Sequence, residues 1–144
     1  EKSRVVPFSR PFGKRGKGPG TFVFLGFSHL WDRTREGSWT IKRKTDRKRL
    51  SRFLSGLNDW CRKHRHQSTV DQHRILTSKL RGHYQYYGVR GNYKMLEVAY
   101  EYAEQAWKRW LTRRNSKDRM NWQKWAARWQ EICPLPKPRI VHAF

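Results

Sequence analysis

Acidic residues, cysteines and long apolar runs are what this sequence has least of. Only 11 Asp and Glu stand against 33 Lys and Arg in 144 residues, a formal charge of +22, which excludes an acidic calcium-type domain or an ordinary metabolic one. Cys61 and Cys133 are too few and too far apart for a disulfide framework or a zinc site, so both are expected to be reduced and structural. No run of apolar residues is long enough for a membrane span, and the amino end, Glu1-Lys-Ser-Arg-Val-Val-Pro-Phe8, lacks the pattern of a signal peptide. Without a lipidation signal either, no membrane partner is expected, and a cytoplasmic, bacterial setting is. The parts of familiar catalytic sites are missing as well: there is no phosphate-binding Gly-rich loop, no nucleophile elbow and no His-Glu-x-x-His.

What is present is aromatic and basic. With 8 Trp, 6 Tyr and 7 Phe the chain is too aromatic for a disordered basic tail and should fold around a core, as one domain-sized unit at this length. Its charge repels itself, and a polyanion that exchanges its counterions for Lys and Arg relieves that repulsion, so nucleic acid is the leading partner.

Residues 1–44 read as extended. The stretch Gly13-Lys-Arg-Gly-Lys-Gly-Pro-Gly20 reads as a loop, and Thr21-Phe-Val-Phe-Leu-Gly-Phe27 and Ser38-Trp-Thr-Ile-Lys-Arg-Lys44 as the strands of a hairpin, with the turn in Asp32 to Gly37. The period then changes. Leu50, Phe53, Leu54, Leu57, Trp60 and Cys61 form one helical stripe that Thr45 is expected to cap. A second helix starts at Ser68, with Asp71 three residues on, and runs through Leu76, Leu80, Tyr84 and Tyr87 to a stop at Gly88 and Gly91. Asn92 is expected to cap a third, whose stripe is Leu96, Ala99, Ala103, Ala106, Trp107 and Trp110, with Glu97, Glu101 and Glu104 on a solvated face. A last helix carries Met120, Trp122, Trp125, Ala126 and Trp129 and ends before Pro134, Pro136 and Pro138.

No metal or acid site follows from the remaining polar residues. His64 and His66 point apart at helical spacing, and Asp32, Asp46, Asp59 and Asp71 sit singly among basic neighbours. Basic residues interleaved with aromatics remain. Arg33, Arg35, Lys42, Arg43, Lys44, Arg47, Lys48, Arg49 and Arg52 form one block. Lys108, Arg109, Arg113, Arg114, Lys117, Arg119, Lys124 and Arg128 form another, and two such surfaces suggest a groove for RNA or a hybrid duplex.

The segment Leu80-Arg-Gly-His-Tyr-Gln-Tyr-Tyr-Gly-Val-Arg-Gly-Asn92 resembles the signature of the maturase-specific, or thumb, domain of group II intron reverse transcriptases. The likeness extends to Trp107-Lys-Arg-Trp-Leu-Thr-Arg-Arg114, to Met120-Asn-Trp122 and to Pro134-Leu-Pro-Lys-Pro-Arg-Ile-Val-His142. Upstream, Glu1-Lys-Ser-Arg4 resembles a late palm motif, and Gly20-Thr-Phe-Val-Phe-Leu-Gly-Phe27 resembles the primer grip. The resemblance implies an α+β chain: residues 1–44 as the hairpin end of a reverse-transcriptase palm, and 45–144 as a mainly helical thumb. It implies binding of intron RNA in support of splicing and gripping of RNA/DNA primer-template duplex, together with the remaining palm and fingers. The family's Tyr-x-Asp-Asp motif has no counterpart here, so this chain is expected to hold no catalytic residue and no cofactor of its own, Mg2+ coming only with the missing palm. The alternatives are a subunit or fragment of an active RNA-directed DNA polymerase, and a basic structural RNA-binding protein.

By position, the resemblance assigns Phe24, Leu25 and Gly26 to the primer end, Gly26 allowing close backbone approach. It assigns Lys79, Arg81, His83, Tyr86, Arg90 and Asn92 to the signature surface, and Arg113, Arg114 and Arg139 to phosphates. Lys42, Arg43, Lys44, Lys48 and Arg49 join them from the first basic block. Tyr84 and Tyr87 share the apolar stripe and are expected in the core, Gly82 at a helix-helix contact. Phe22, Phe24, Phe27 and Trp31 are expected to leave an apolar surface on the hairpin and a poorly soluble free chain.

Overall fold

In the computed structural model, residues 21–113 and 134–142 are described, and the expected last helix and Arg114 lie outside them. The architecture is α+β: a three-stranded antiparallel sheet of order β1-β2-β3, followed by three helices. The strands are β1 (Phe22–Phe24), β2 (Phe27–Arg33) and β3 (Trp39–Thr45), and the helices α1 (Arg47–Lys63), α2 (Thr69–Tyr87) and α3 (Tyr93–Arg113).

The apolar run read as one strand over Thr21 to Phe27 is two. Leu25 and Gly26 both have positive φ, 53° and 85°, and fold the chain back so that Phe24 pairs with Phe27. Two positive φ values in a two-residue loop are the geometry of a type I′ hairpin, whose twist matches that of its strands. A leucine in the left-handed region hid the turn. The second strand therefore continues through Arg33, seven residues in register with β3, and the turn between them closes at Thr34 to Ser38. The paired register puts Phe22, Phe24, Phe27, His29, Trp31, Trp39 and Ile41 on one face of the sheet.

Two helix starts differ from the sequence reading. Thr45 ends β3 and is buried, and Asp46 occupies the N-cap of α1 without a side-chain capping bond. Its backbone N–H instead donates to the Gly26 carbonyl at 2.9 Å. The Asn92 carbonyl accepts from Met95 and Leu96 at the start of α3, but its side chain turns inward to Thr45. At α2 the expected cap is present: Ser68 Oγ accepts from the Asp71 N–H at 3.2 Å, and Asp71 brings a negative charge to the helix start.

The core lies between the helices. α3 packs on both α1 and α2. Leu57 and Cys61 meet Leu76, Leu80 and Tyr84, together with Leu96, Ala103, Ala106, Trp107 and Leu111, and Leu135 returns from the carboxyl-terminal segment to join them. The alanines let α3 approach closely, and Trp107 supplies the bulk. One polar group is buried here with every bond made: Gln72 accepts from Trp107 Nε1 at 2.7 Å and donates to the carbonyls of His64 and Gln67 at 2.9 and 3.0 Å. That ties the α1–α2 connection to α3 without leaving an orphaned amide. Cys61 is free and buried, and loss of water pushes its thiol up to about 12 against a small opposing pull from Lys79.

Candidate nucleic-acid interface

The turn between α2 and α3 organises the basic surface. Gly88 ends α2 where a Cβ would run into the Tyr84 carbonyl and come within 2.9 Å of the Arg139 carbonyl, so the carboxyl-terminal segment can lie directly on it. The Gly88 carbonyl accepts from the N–H groups of Val141 and His142, both at 2.8 Å, and the Arg90 N–H donates to the His142 carbonyl at 3.1 Å. Tyr84 Oη donates to the Pro136 carbonyl at 2.9 Å, and His73 meets the Pro134 carbonyl. Residues 134–142 are thereby held as a wall alongside α2. Burial holds the Tyr84 hydroxyl well above its ordinary range, so it stays a donor.

Two basic clefts flank this turn. One, of about 720 Å³, runs between α2 and the wall and is lined by Ser78, Arg81, Gly82 and Gln85 on one side and Pro136, Lys137, Arg139 and Val141 on the other, with Tyr84 at its base. The other, of about 520 Å³, lies between the sheet and the turn, lined by Asp32, Arg33, Thr34, Thr40, Ile41, Lys42, Arg43, Arg90 and Gly91. Gly91, at φ 92°, sits under the aliphatic stem of Lys42. Asp32 is the one carboxylate in either lining among the described residues. It accepts from the Arg33 N–H at 2.8 Å and lies 3.5 Å from Lys42 Nζ, contacts that hold its carboxyl below the usual carboxylate range.

The residues expected to touch nucleic acid distribute unevenly over this surface. Lys42, Arg43 and Arg90 come together in the second cleft, Arg81 and Arg139 in the first. Lys44 is half-buried on β3, and Lys48 and Arg49 are exposed on α1, with Arg49 near the Tyr87 hydroxyl. Lys79 and Arg113 are exposed on their helices, but each lies over an indole: Lys79 Nζ is 5.8 Å from the Trp60 ring and the Arg113 guanidinium 5.2 Å from Trp110.

His83 and Asn92 are buried, and a direct contact with nucleic acid is closed to both. His83 stacks on Phe53 at 4.1 Å, and Asn92 has no exposed surface. Gly26 is buried too. A Cβ there would stand 2.8 Å from the Tyr87 hydroxyl, so the close approach it permits is made by a tyrosine of the same chain. Tyr86 keeps half its surface exposed, but its hydroxyl donates to the Leu25 carbonyl at 2.6 Å and its ring stacks on Phe27 at 5.9 Å. It braces the hairpin. Phe24 and Leu25 remain 60% and 65% exposed beside Val23, so the apolar surface expected on the hairpin is concentrated at its tip, while Phe27 is buried.

Gly82 makes no helix-helix contact among the described residues. No described residue lies within 4 Å of where its Cβ would be, and it faces the first cleft. Ser78, Arg81, Gly82 and Gln85 fall at i, i+3, i+4 and i+7, one exposed stripe of α2 beside the apolar one. That spacing is legible in the sequence, but the hydrophobic stripe of the same helix drew the reading away from it. Lys137 was missed for want of any signal placing it opposite α2. Lys108 and Arg109, from the second basic block, line a separate depression on α3 with Gln105 and Thr112.

Among the described residues no group of three or more His, Cys, Asp and Glu is gathered as metal ligands, and no helix is long and apolar enough to cross a membrane. Comparison with protein-family models, curated proteins and solved structures finds no match to this chain.

Proposed function

We propose that the chain binds structured RNA and primer-template duplex as the thumb, or maturase, part of a group II intron reverse transcriptase. The observation that carries this reading is the placement of Arg81 and Arg90. Both belong to the segment that resembles the family signature, and each lines a basic cleft on its own side of the same turn. The mechanism is electrostatic and geometric: cations on rigid elements replace the counterions of phosphates and hold the RNA in one arrangement. Any polymerisation belongs to the palm and fingers that this reading takes as partners, and Mg2+ with them.

The test is binding of the chain to a folded group II intron RNA and to an unrelated RNA of equal length, titrated across about 50 to 200 mM salt. The expected result is a preference for the intron RNA that survives at the higher salt. Equal affinities with equal salt slopes would leave only a polycation that binds any RNA.

A further inference from the structure

The groove between α2 and the 134–142 wall combines three features that internal packing leaves unexplained. Its cations Arg81, Lys137 and Arg139 form no ion pair among the described residues, in contrast to Lys42, which is paired with Asp32 in the other cleft. No carboxylate lines it among the described residues. Lastly, a glycine stands in the interior of α2, exposed, with no described residue near the position of its missing side chain. A glycine inside a helix weakens it relative to alanine. Tight packing would account for Gly88 or Gly26, but at Gly82 no described residue needs the room.

We propose that this groove holds the ribose–phosphate backbone of a single RNA strand, laid against α2 at Gly82. A groove of about 720 Å³ is the size of a small-molecule site, so it takes a few nucleotides of one strand. Arg81 on the helix and Lys137 and Arg139 on the wall face phosphates from both sides. The bare Cα of Gly82 lets the sugar rest on the helix surface between Arg81 and Gln85. Ser78 and Gln85, neutral and exposed on the same stripe, supply the donors and acceptors that a 2′-hydroxyl needs. The wall is fixed by Tyr84 and Gly88, so the groove is formed before the strand arrives.

This assignment rests on the nucleic-acid function proposed above, and the experiment separates the two. Affinity of the full chain for a single-stranded RNA of about 16 nucleotides is measured alongside the melting temperature, for wild type, Gly82→Ala and Gly82→Leu. Both substitutions add a better helix former into open space, so melting temperature is expected to rise or hold while affinity falls, on the order of tenfold for Gly82→Leu. Arg81→Ala is expected to reduce the salt slope by about 1. Retained affinity in Gly82→Leu, with wild type binding normally, overturns the groove assignment and leaves the general function standing. Equal affinity for DNA of the same sequence overturns the ribose preference. A wild-type chain that binds no RNA at all overturns both.

Discussion

The side-chain amide of Asn92 closes on Thr45 from both ends: its Oδ1 accepts from the Thr45 backbone N–H at 2.9 Å, and its Nδ2 donates to Thr45 Oγ1 at 2.8 Å. The second Nδ2 proton goes to the Tyr87 carbonyl, also at 2.8 Å. One buried side chain thus joins the end of β3, the end of α2 and the start of α3. The junction between sheet and helices, and with it the second basic cleft, depends on it.

Replacing Asn92 by Ala leaves the Thr45 N–H and Oγ1 and the Tyr87 carbonyl without that partner at a buried junction. A single buried orphan costs about 1 to 3 kcal/mol, so the variant is expected to lose at least about 2 kcal/mol of stability. Urea unfolding checks this, and a double-mutant cycle with Thr45→Val should show strong coupling between the two positions. Additive losses would mean that the pair does not act as one unit.

The helices were legible because their apolar residues recur at 3.6, and the Ser68 cap because its side-chain chemistry is local. The hairpin turn was not, since Leu25 is no turn residue and only Gly26 pointed to a break. Asn92 reads as a cap from its neighbours. Its partner Thr45 lies 47 residues away, and no local rule brings the two together. The cation pairing of the clefts is non-local in the same way: Arg81 could be named from its segment, but the wall that faces it returns from beyond residue 133.

The hairpin tip carries a testable strain. Leu25 holds φ at 53°, a region that costs a leucine roughly 1 to 2 kcal/mol, with Tyr86 Oη bonded to its carbonyl. Leu25→Asn is expected to stabilise the chain by up to about 1 kcal/mol, because Asn-Gly is the favoured type I′ pair. It also removes apolar surface from the tip, so light scattering should show less self-association. Gly26→Ala should do the reverse, since it combines positive φ with a collision against Tyr87. An unchanged urea midpoint in both variants would contradict the turn geometry.

His83 makes stability depend on pH. His83 is 6% exposed, its ring stacked on Phe53 and tilted against Tyr87, and its Nε2 has no hydrogen-bond partner among the described residues. Burial lowers its pKa from 6.5 to about 4, so the folded chain keeps the imidazole neutral while the unfolded chain protonates it. The unfolded state then binds the extra proton, and stability rises with pH across this window. The contribution is complete above pH 6.5, falls as pH drops and is gone below about 4, amounting to at most about 3 kcal/mol. His83→Phe should flatten unfolding free energy between pH 6.5 and 4 relative to wild type. A variant with the same pH slope would place the titration elsewhere.

Asp32 sets the charge available in the cleft beside Arg90. Its carboxylate faces Lys42 at 3.5 Å, and both groups are partly exposed, so the pair itself adds little stability. Under the proposed function its effect is on the ligand: a phosphate entering between Lys42, Arg43 and Arg90 would compete with it. Asp32→Asn removes that competitor and frees Lys42. Affinity for RNA at about 50 mM salt is expected to rise by up to roughly tenfold, with a steeper salt slope because one more counterion-releasing contact is made. Arg90→Ala should act in the opposite sense, weakening binding across sequences and lowering the slope by about 1. Measured together across a salt series, the two variants bracket wild type if phosphates occupy this cleft. Identical salt slopes in all three chains would mean that RNA binds on another face.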